Sequence, residues 1–453
     1  MRGFGPPGSP SPMMLQRPLV AVAGGMLALL VACVGWLGYA RTRTVELSER
    51  LVREVQALSR ARYVRPSHVL PAMPGSFARH AEPLMDAVVA LYRARPRARG
   101  EAEWLTGQPC RDEVDADDAR EEEALSEECL AELEQGRPLL ARVLMATHAE
   151  EGGLPASMGV LAPLDHPHAS EGKVALVYLV HLAALETRLR LARGLGSDAV
   201  DTCLDGLALA RELELGGGME GQLLAATGQG LIYRSCADAL DRAPVERKRL
   251  ALLQLRRLAE GFTPFSVALR HESLVLQLFH FQPLLTQEAL AALPRESLEL
   301  FPRALREMEE HSSSPVGFRR AWWKTVAVFD ALIEAADLPP AARQRAFERV
   351  EDWEDGWLGP VDGPEVGNYA GYAERLDLRR MRHDALVALT EVDLARAERG
   401  HWPEAAARQL GSAFVLEPVD ATEARLKPCS RTLSEHGLRV TADTAPAFRV
   451  RAP

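Results

Sequence analysis

Residues Glu171–Arg193, EGKVALVYLVHLAALETRLRLAR, set Val174, Leu176, Val177, Val180, Leu182, Leu185, Leu189 and Leu191 at broadly helical spacing. Gly194 and Gly196 end the run. On its carboxyl side, Asp198–Leu215 and Met219–Leu240 carry the same period and flank Gly216-Gly217-Gly218, which predicts a helical hairpin. The series continues through Val245–Glu260, Pro264–Phe281, Gln287–Leu293, Leu298–Glu310, Val316–Ala336 and Pro339–Asp352. On its amino side, Ala78–Arg95, Ala119–Glu134 and Pro138–Glu151 read as helices, with Gly136 and Gly152-Gly153 as stops and an irregular acidic loop over 96–118. Short connections imply that consecutive helices return on one another, each covering its neighbour's apolar face. The expected fold is therefore all-α: stacked antiparallel helical hairpins, solenoid-like, over residues 78–375. Val174–Leu213 loosely resembles one tetratricopeptide unit, but no second unit repeats its pattern.

Ahead of this body lies Leu19–Ala40, LVAVAGGMLALLVACVGWLGYA, twenty-two residues without a charge. A bilayer core about 30 Å thick needs roughly 20 apolar residues in a helix, so residues 19–40 are read as a transmembrane anchor and 1–18 as an amino-terminal tail. Within the run, Leu30-Val31-Ala32-Cys33 resembles a bacterial lipobox, which offers an alternative: a lipoprotein signal ending at residue 32, with lipidation of Cys33. Residues 41–77 are expected to form a helical stalk, Val45–Arg62, and a linker broken by Pro66, Pro71 and Pro74. Arg41, Arg43, Arg50 and Arg53 follow the span and Arg2 and Arg17 precede it, a bias that alone favours a cytoplasmic domain. Long domains translocate largely regardless of charge, and a first apolar segment often acts as a signal-anchor, so an inner-membrane protein with an extracytoplasmic domain is expected.

Hydrophobic residues make up 47% of the chain and the net charge is −10, which suits a globular domain and argues against a nucleic-acid partner, since that calls for a basic face. Outside the anchor stand Cys110, Cys129, Cys203, Cys236 and Cys429. Cys110 and Cys129 bracket the acidic stretch Arg111–Glu128, so a bridge between them would close that loop, while buried thiols packing as small apolar groups are the alternative.

The motifs of common chemistries are missing. His271-Glu272 begins like a zincin helix, but the second histidine of HExxH falls on Val275. Asp165-His166-Pro167-His168 has no third metal ligand in view, and Asp112, Asp115, Asp117 and Asp118 lack the calcium-loop spacing. There is no GxSxG elbow, P-loop or Rossmann glycine pattern. No catalytic residue, cofactor or metal is assigned. Trp322, Trp323, Trp353 and Trp357 form the candidate binding surface, with inter-helix packing as the alternative use of such aromatics. The glycine-rich loop Asp355–Gly371 is a candidate binding loop or crossover.

Residues 376–453 change character. Leu376–Arg399 is a long helix, followed by Gly400-His401-Trp402-Pro403-Glu404 and Leu416-Glu417-Pro418, and Arg425–Lys427 with Leu438–Thr441 predict a small β-hairpin. This order resembles the end of type II secretion pseudopilins and of uncharacterised membrane-anchored helical proteins of bacterial envelopes. Gly400, Trp402 and Pro403 match the first element of that pattern, Glu417-Pro418 the second and Leu438-Arg439-Val440 the last strand. The likeness covers about 376–445, and the chain lacks the prepilin cleavage signature with its glutamate just inside the apolar run. It implies a membrane-anchored, noncatalytic scaffold or protein-interaction module of the envelope with a protein partner. The alternatives are an envelope hydrolase using carboxylates, or a secretion or transport accessory subunit.

Overall fold

A computed structural model places residues 12–64, 73–95, 110, 125–162, 166–294, 315–351, 366–399, 414–418, 423–428 and 448–451, and the description is of these. The chain is mostly helical, with one apolar amino-terminal helix and two small sheets. Helix α1 (Pro12–Ser59) is unbroken, and its environment changes at one point: residues 25–39 are exposed, whereas Ala40, Leu47, Leu51 and Val55 are buried. Its second half is thus a packed element of the domain and not a stalk standing off from it, because its apolar stripe meets the helices described below.

Strands β1 (Tyr63–Val64) and β2 (Met73–Ser76) lead to α2 (Phe77–Ala81), a short 3-10 turn at Glu82–Leu84 and α3 (Met85–Ala94). The single helix expected over 78–95 is broken here because Pro83 has no N–H to continue the ladder. Helix α4 (Glu127–Ala146) is capped by Ser126, whose hydroxyl accepts the Cys129 N–H, and it runs through both Gly136 and Pro138, where two helices were expected. Gly136 is a packing position: a Cβ there would lie 2.4 Å from Leu182 Cδ1. Strand β3 (Ala149–Gly152) replaces the expected end of the second helix and pairs antiparallel with β1 and parallel with β2.

Helix α5 (Glu171–Ala192) is buried on almost every side. It is wrapped by α3, α4, α6 (Gly196–Glu212) and α7 (Gly218–Arg242), and α5, α6 and α7 each pack on the other two. Cys203 and Cys236 form a disulfide between α6 and α7. The chain then runs through α8 (Val245–Glu260), α9 (Phe265–Phe281), α10 (Gln287–Ala292), α11 (Pro315–Ala336), α12 (Pro340–Glu351) and α13 (Val366–Arg399). Helix α13 lies across α7 and α8, α9 packs on α7 and α11, and α12 joins α11 to α13. The helix expected over Leu298–Glu310 lies outside the described residues.

The expected carboxyl-terminal hairpin is a three-stranded antiparallel sheet, ordered β4 (Phe414–Pro418), β5 (Glu423–Pro428), β6 (Phe448–Arg451). Arg425–Lys427 belongs to the central strand β5, with Arg425 and Leu426 paired on both sides and Lys427 with β4, while Leu438–Thr441 and residues 400–404 lie outside the described residues. The main apolar core surrounds α5–α7. A second cluster links α9 to α11–α13, and a third joins Leu47, Leu51 and Val55 of α1 to Leu278, Phe281 and Trp322.

Candidate functional site

A cleft of about 730 Å³ opens where α3, the start of α5, the first half of α7, α9 and α13 meet. Its wall carries Tyr92, Glu171, Glu220, Thr227, Glu272, Tyr372 and Arg375, with Val174, Met219, Leu223 and Leu224 as the apolar part. Two of the three carboxylates are held. Arg93 grips Glu171 with both arms of its fork, Nε to Oε1 at 2.7 Å and Nη2 to Oε2 at 2.5 Å, and so lowers the Glu171 pKa. Lys173 Nζ donates to Glu220 Oε2 at 2.6 Å and Ser170 Oγ to Glu220 Oε1 at 2.7 Å.

Glu272 differs: among the described residues it makes no hydrogen bond or ion pair, and burial first, then the Glu220 charge, raise its pKa. The aromatic side of the cleft is fixed as well. Arg95 lies 3.6 Å over the Tyr92 ring and donates to its hydroxyl, and Tyr372 meets Tyr369 edge to face. Burial, followed by the Glu272 charge, raises the Tyr369 pKa.

A buried polar network ties α13 to the end of α6 and to α8. Arg379 Nη2 donates to Glu214 Oε2 at 2.9 Å, the Thr263 N–H donates to the same oxygen at 3.1 Å, and the Gly153 N–H donates to Glu212 Oε2 at 2.8 Å. The Arg379 guanidinium lies 4.4 Å over Phe262, and His383 Nε2 donates to the Leu255 carbonyl at 2.8 Å. Burial lowers the His383 pKa to about 4, so the ring is neutral at pH 7. The turn into α7 needs its three glycines. Gly216 and Gly218 have φ of +87° and +66°, and a Cβ on Gly217 would lie 2.0 Å from the Leu213 carbonyl oxygen.

The residues singled out from sequence are dispersed. Trp322 is completely buried, donates from Nε1 to Gln277 Oε1 at 3.1 Å and stacks on Phe281, so it is core and not binding surface. Trp323 is half-buried and meets Trp36 and Tyr39 of α1. Trp353 and Trp357 lie outside the described residues, as do Asp112, Asp115, Asp117, Asp118 and Asp165. Cys110 and Cys129 form a disulfide, and Cys33 is free and exposed on α1. His168 pairs with Asp86 at 2.9 Å, its ring 5.1 Å from that of His166, and no group of three metal-binding side chains occurs among the described residues.

Glu272 follows the histidine of the incomplete zincin-like pair, whose own ring is buried with its pKa lowered to about 4. No spacing rule could have grouped Glu272 with Glu171, Glu220 and Arg375, which come from four separate helices. In comparisons with family models, curated proteins and solved structures, nothing matches this chain.

Proposed function

We propose that this is a single-pass, membrane-anchored, noncatalytic interaction module of the bacterial envelope, whose cleft receives a positively charged group of a protein partner. The observation that carries the reading is Glu272, a desolvated carboxylate that forms no ion pair among the described residues, in a cleft whose other two carboxylates are already bound. A ligand ammonium or guanidinium entering there supplies the missing charge, and the fixed Arg93–Glu171 and Lys173–Glu220 pairs provide a rigid rim that needs little ordering on binding. The short connections between α5, α6 and α7 suit a body of stacked hairpins that offers its surface to a partner. Placement outside the cytoplasm is supported by the two disulfides, which persist in oxidising compartments. The pseudopilin-like order of the carboxyl-terminal segment supports a role beside an envelope assembly or secretion machine.

The test is titration of the detergent-solubilised full-length protein with a lysine- and arginine-bearing peptide, read by thermal shift, against the same peptide with its charges removed. The charged peptide raises the melting temperature with concentration, and Glu272→Gln abolishes the rise. An undiminished rise in that variant overturns the cleft as the binding site. One observation favours a second reading. Glu220 and Glu272 share a cleft and the environment raises the pKa of Glu272, the arrangement a carboxylate-dependent hydrolase uses. Cleavage of envelope polymer by the wild type and not by Glu272→Gln would select it.

A further inference from the structure

The boundary at which α1 passes from exposed to buried is marked by rings. Trp36 lies 5.6 Å from Trp323 of α11, Tyr39 lies 5.6 Å from the same ring, and Trp36 and Tyr39 are 6.3 Å apart. Tryptophan and tyrosine concentrate at the level of lipid headgroups, and the apolar run ends at Ala40. The direction of α11 follows from two contacts: Trp323 meets Trp36 and Tyr39, while Asp330, further along, takes both arms of the Arg50 fork at 2.6 and 2.8 Å. The two helices therefore rise from the bilayer side together. The eight residues of α11 before Trp323 reach about 12 Å past it toward the membrane. In that stretch Arg320 is exposed, and Arg319 is half-buried, its Nε covered and without a hydrogen-bond partner among the described residues.

We propose that the amino-terminal turns of α11 are a second membrane contact, in which Arg319 and Arg320 bind the phosphates of anionic lipids and Trp323 joins Trp36 and Tyr39 in an interfacial belt. The proposal rests on α1 being embedded in the bilayer. Charge complementarity favours an anionic surface: Arg41 lies at the end of the span, while Glu46 and Glu49 above it are paired with Arg43 and Arg53. Arginine suits this position because its stem packs among apolar groups while its fork reaches a phosphate with two donors. Two attachment points hold the domain in one orientation on the surface, where a single helix would leave it free to swing.

The test uses the full-length chain carrying C33A and C429S, with its native disulfides intact, in vesicles of phosphatidylcholine with phosphatidylglycerol. Spin labels are introduced by L30C, G317C or L195C, and depth is read from the ratio of oxygen to nickel-chelate accessibility. The label at 30 reports the acyl core, the label at 195 reports water, and the label at 317 lies between them. Adding R319E and R320E, or replacing the anionic lipid by phosphatidylcholine, shifts the label at 317 to the water value. A label at 317 as accessible as that at 195, with 30 in the acyl core, overturns the second contact and leaves the anchor standing. A label at 30 in water overturns both.

Discussion

Glu272 shows how one side chain's surroundings set a measurable property. Its pKa is raised above the ordinary carboxylate range, so the folded state favours the protonated form. The stability this contributes is fully present below the unfolded value and is lost as pH rises through the raised one. Glu272→Gln is therefore expected to raise the melting temperature at pH 7, with the gain shrinking to nothing as pH falls below the ordinary glutamate value. His383 has the opposite sign. Burial depresses its pKa from 6.5 to about 4, so its contribution is present above pH 6.5 and is lost as pH falls through about 4. The depression corresponds to roughly 3 kcal/mol. His383→Gln, which keeps a donor for the Leu255 carbonyl and does not titrate, flattens the loss of stability between those two pH values. Neither shift was legible in the sequence, because both arise from what α7, α8 and α13 place around the group.

At the level of elements, the periodic segments around α5 were legible. Val245–Glu260 is reproduced as α8, and α7, α9, α11 and α12 differ from their expected ends by one or two residues. Glycine was the unreliable signal. At Gly216–Gly218 it marks a real turn with left-handed backbone, whereas at Gly136 it allows α4 to approach α5 and the helix continues. Propensity alone cannot separate these uses, since a glycine inside a helix costs only about 1 kcal/mol, which packing readily offsets. The Cys203–Cys236 bridge between α6 and α7 was equally invisible, because it depends on the two helices lying side by side. Replacing both cysteines by alanine is expected to destabilise the domain by about 3–4 kcal/mol, from a closed loop spanning a separation of 33 residues. Unfolding in denaturant with and without the bridge measures it, at unchanged helical circular dichroism.

For the whole molecule, the apolar run and the domain share one helix. Leu47, Leu51 and Val55 of α1 complete the cluster that includes Leu278, Phe281 and Trp322, so removing the apolar run and removing all of α1 have different consequences. A chain beginning at Ala40 is expected to keep a cooperative thermal transition. One beginning after Ser59 uncovers that cluster and loses several kcal/mol, as large cavities in a core do. Equal melting temperatures for the two truncations would contradict the packed role of α1.

The sequence by itself determined what depends on local period and composition: an apolar segment long enough to span a bilayer, a mostly helical body after it, and the ends of most helices around α5. These signals survive in one dimension because each is repeated over several turns. The cleft was decided only by tertiary structure, since its carboxylates come from α5, α7 and α9 and gain their character from desolvation and from their partners. So were the core position of Trp322, the Cys203–Cys236 disulfide and the packing of α1 against the domain. Each is a contact between residues far apart in the chain, and no local pattern encodes which distant surface a side chain will meet.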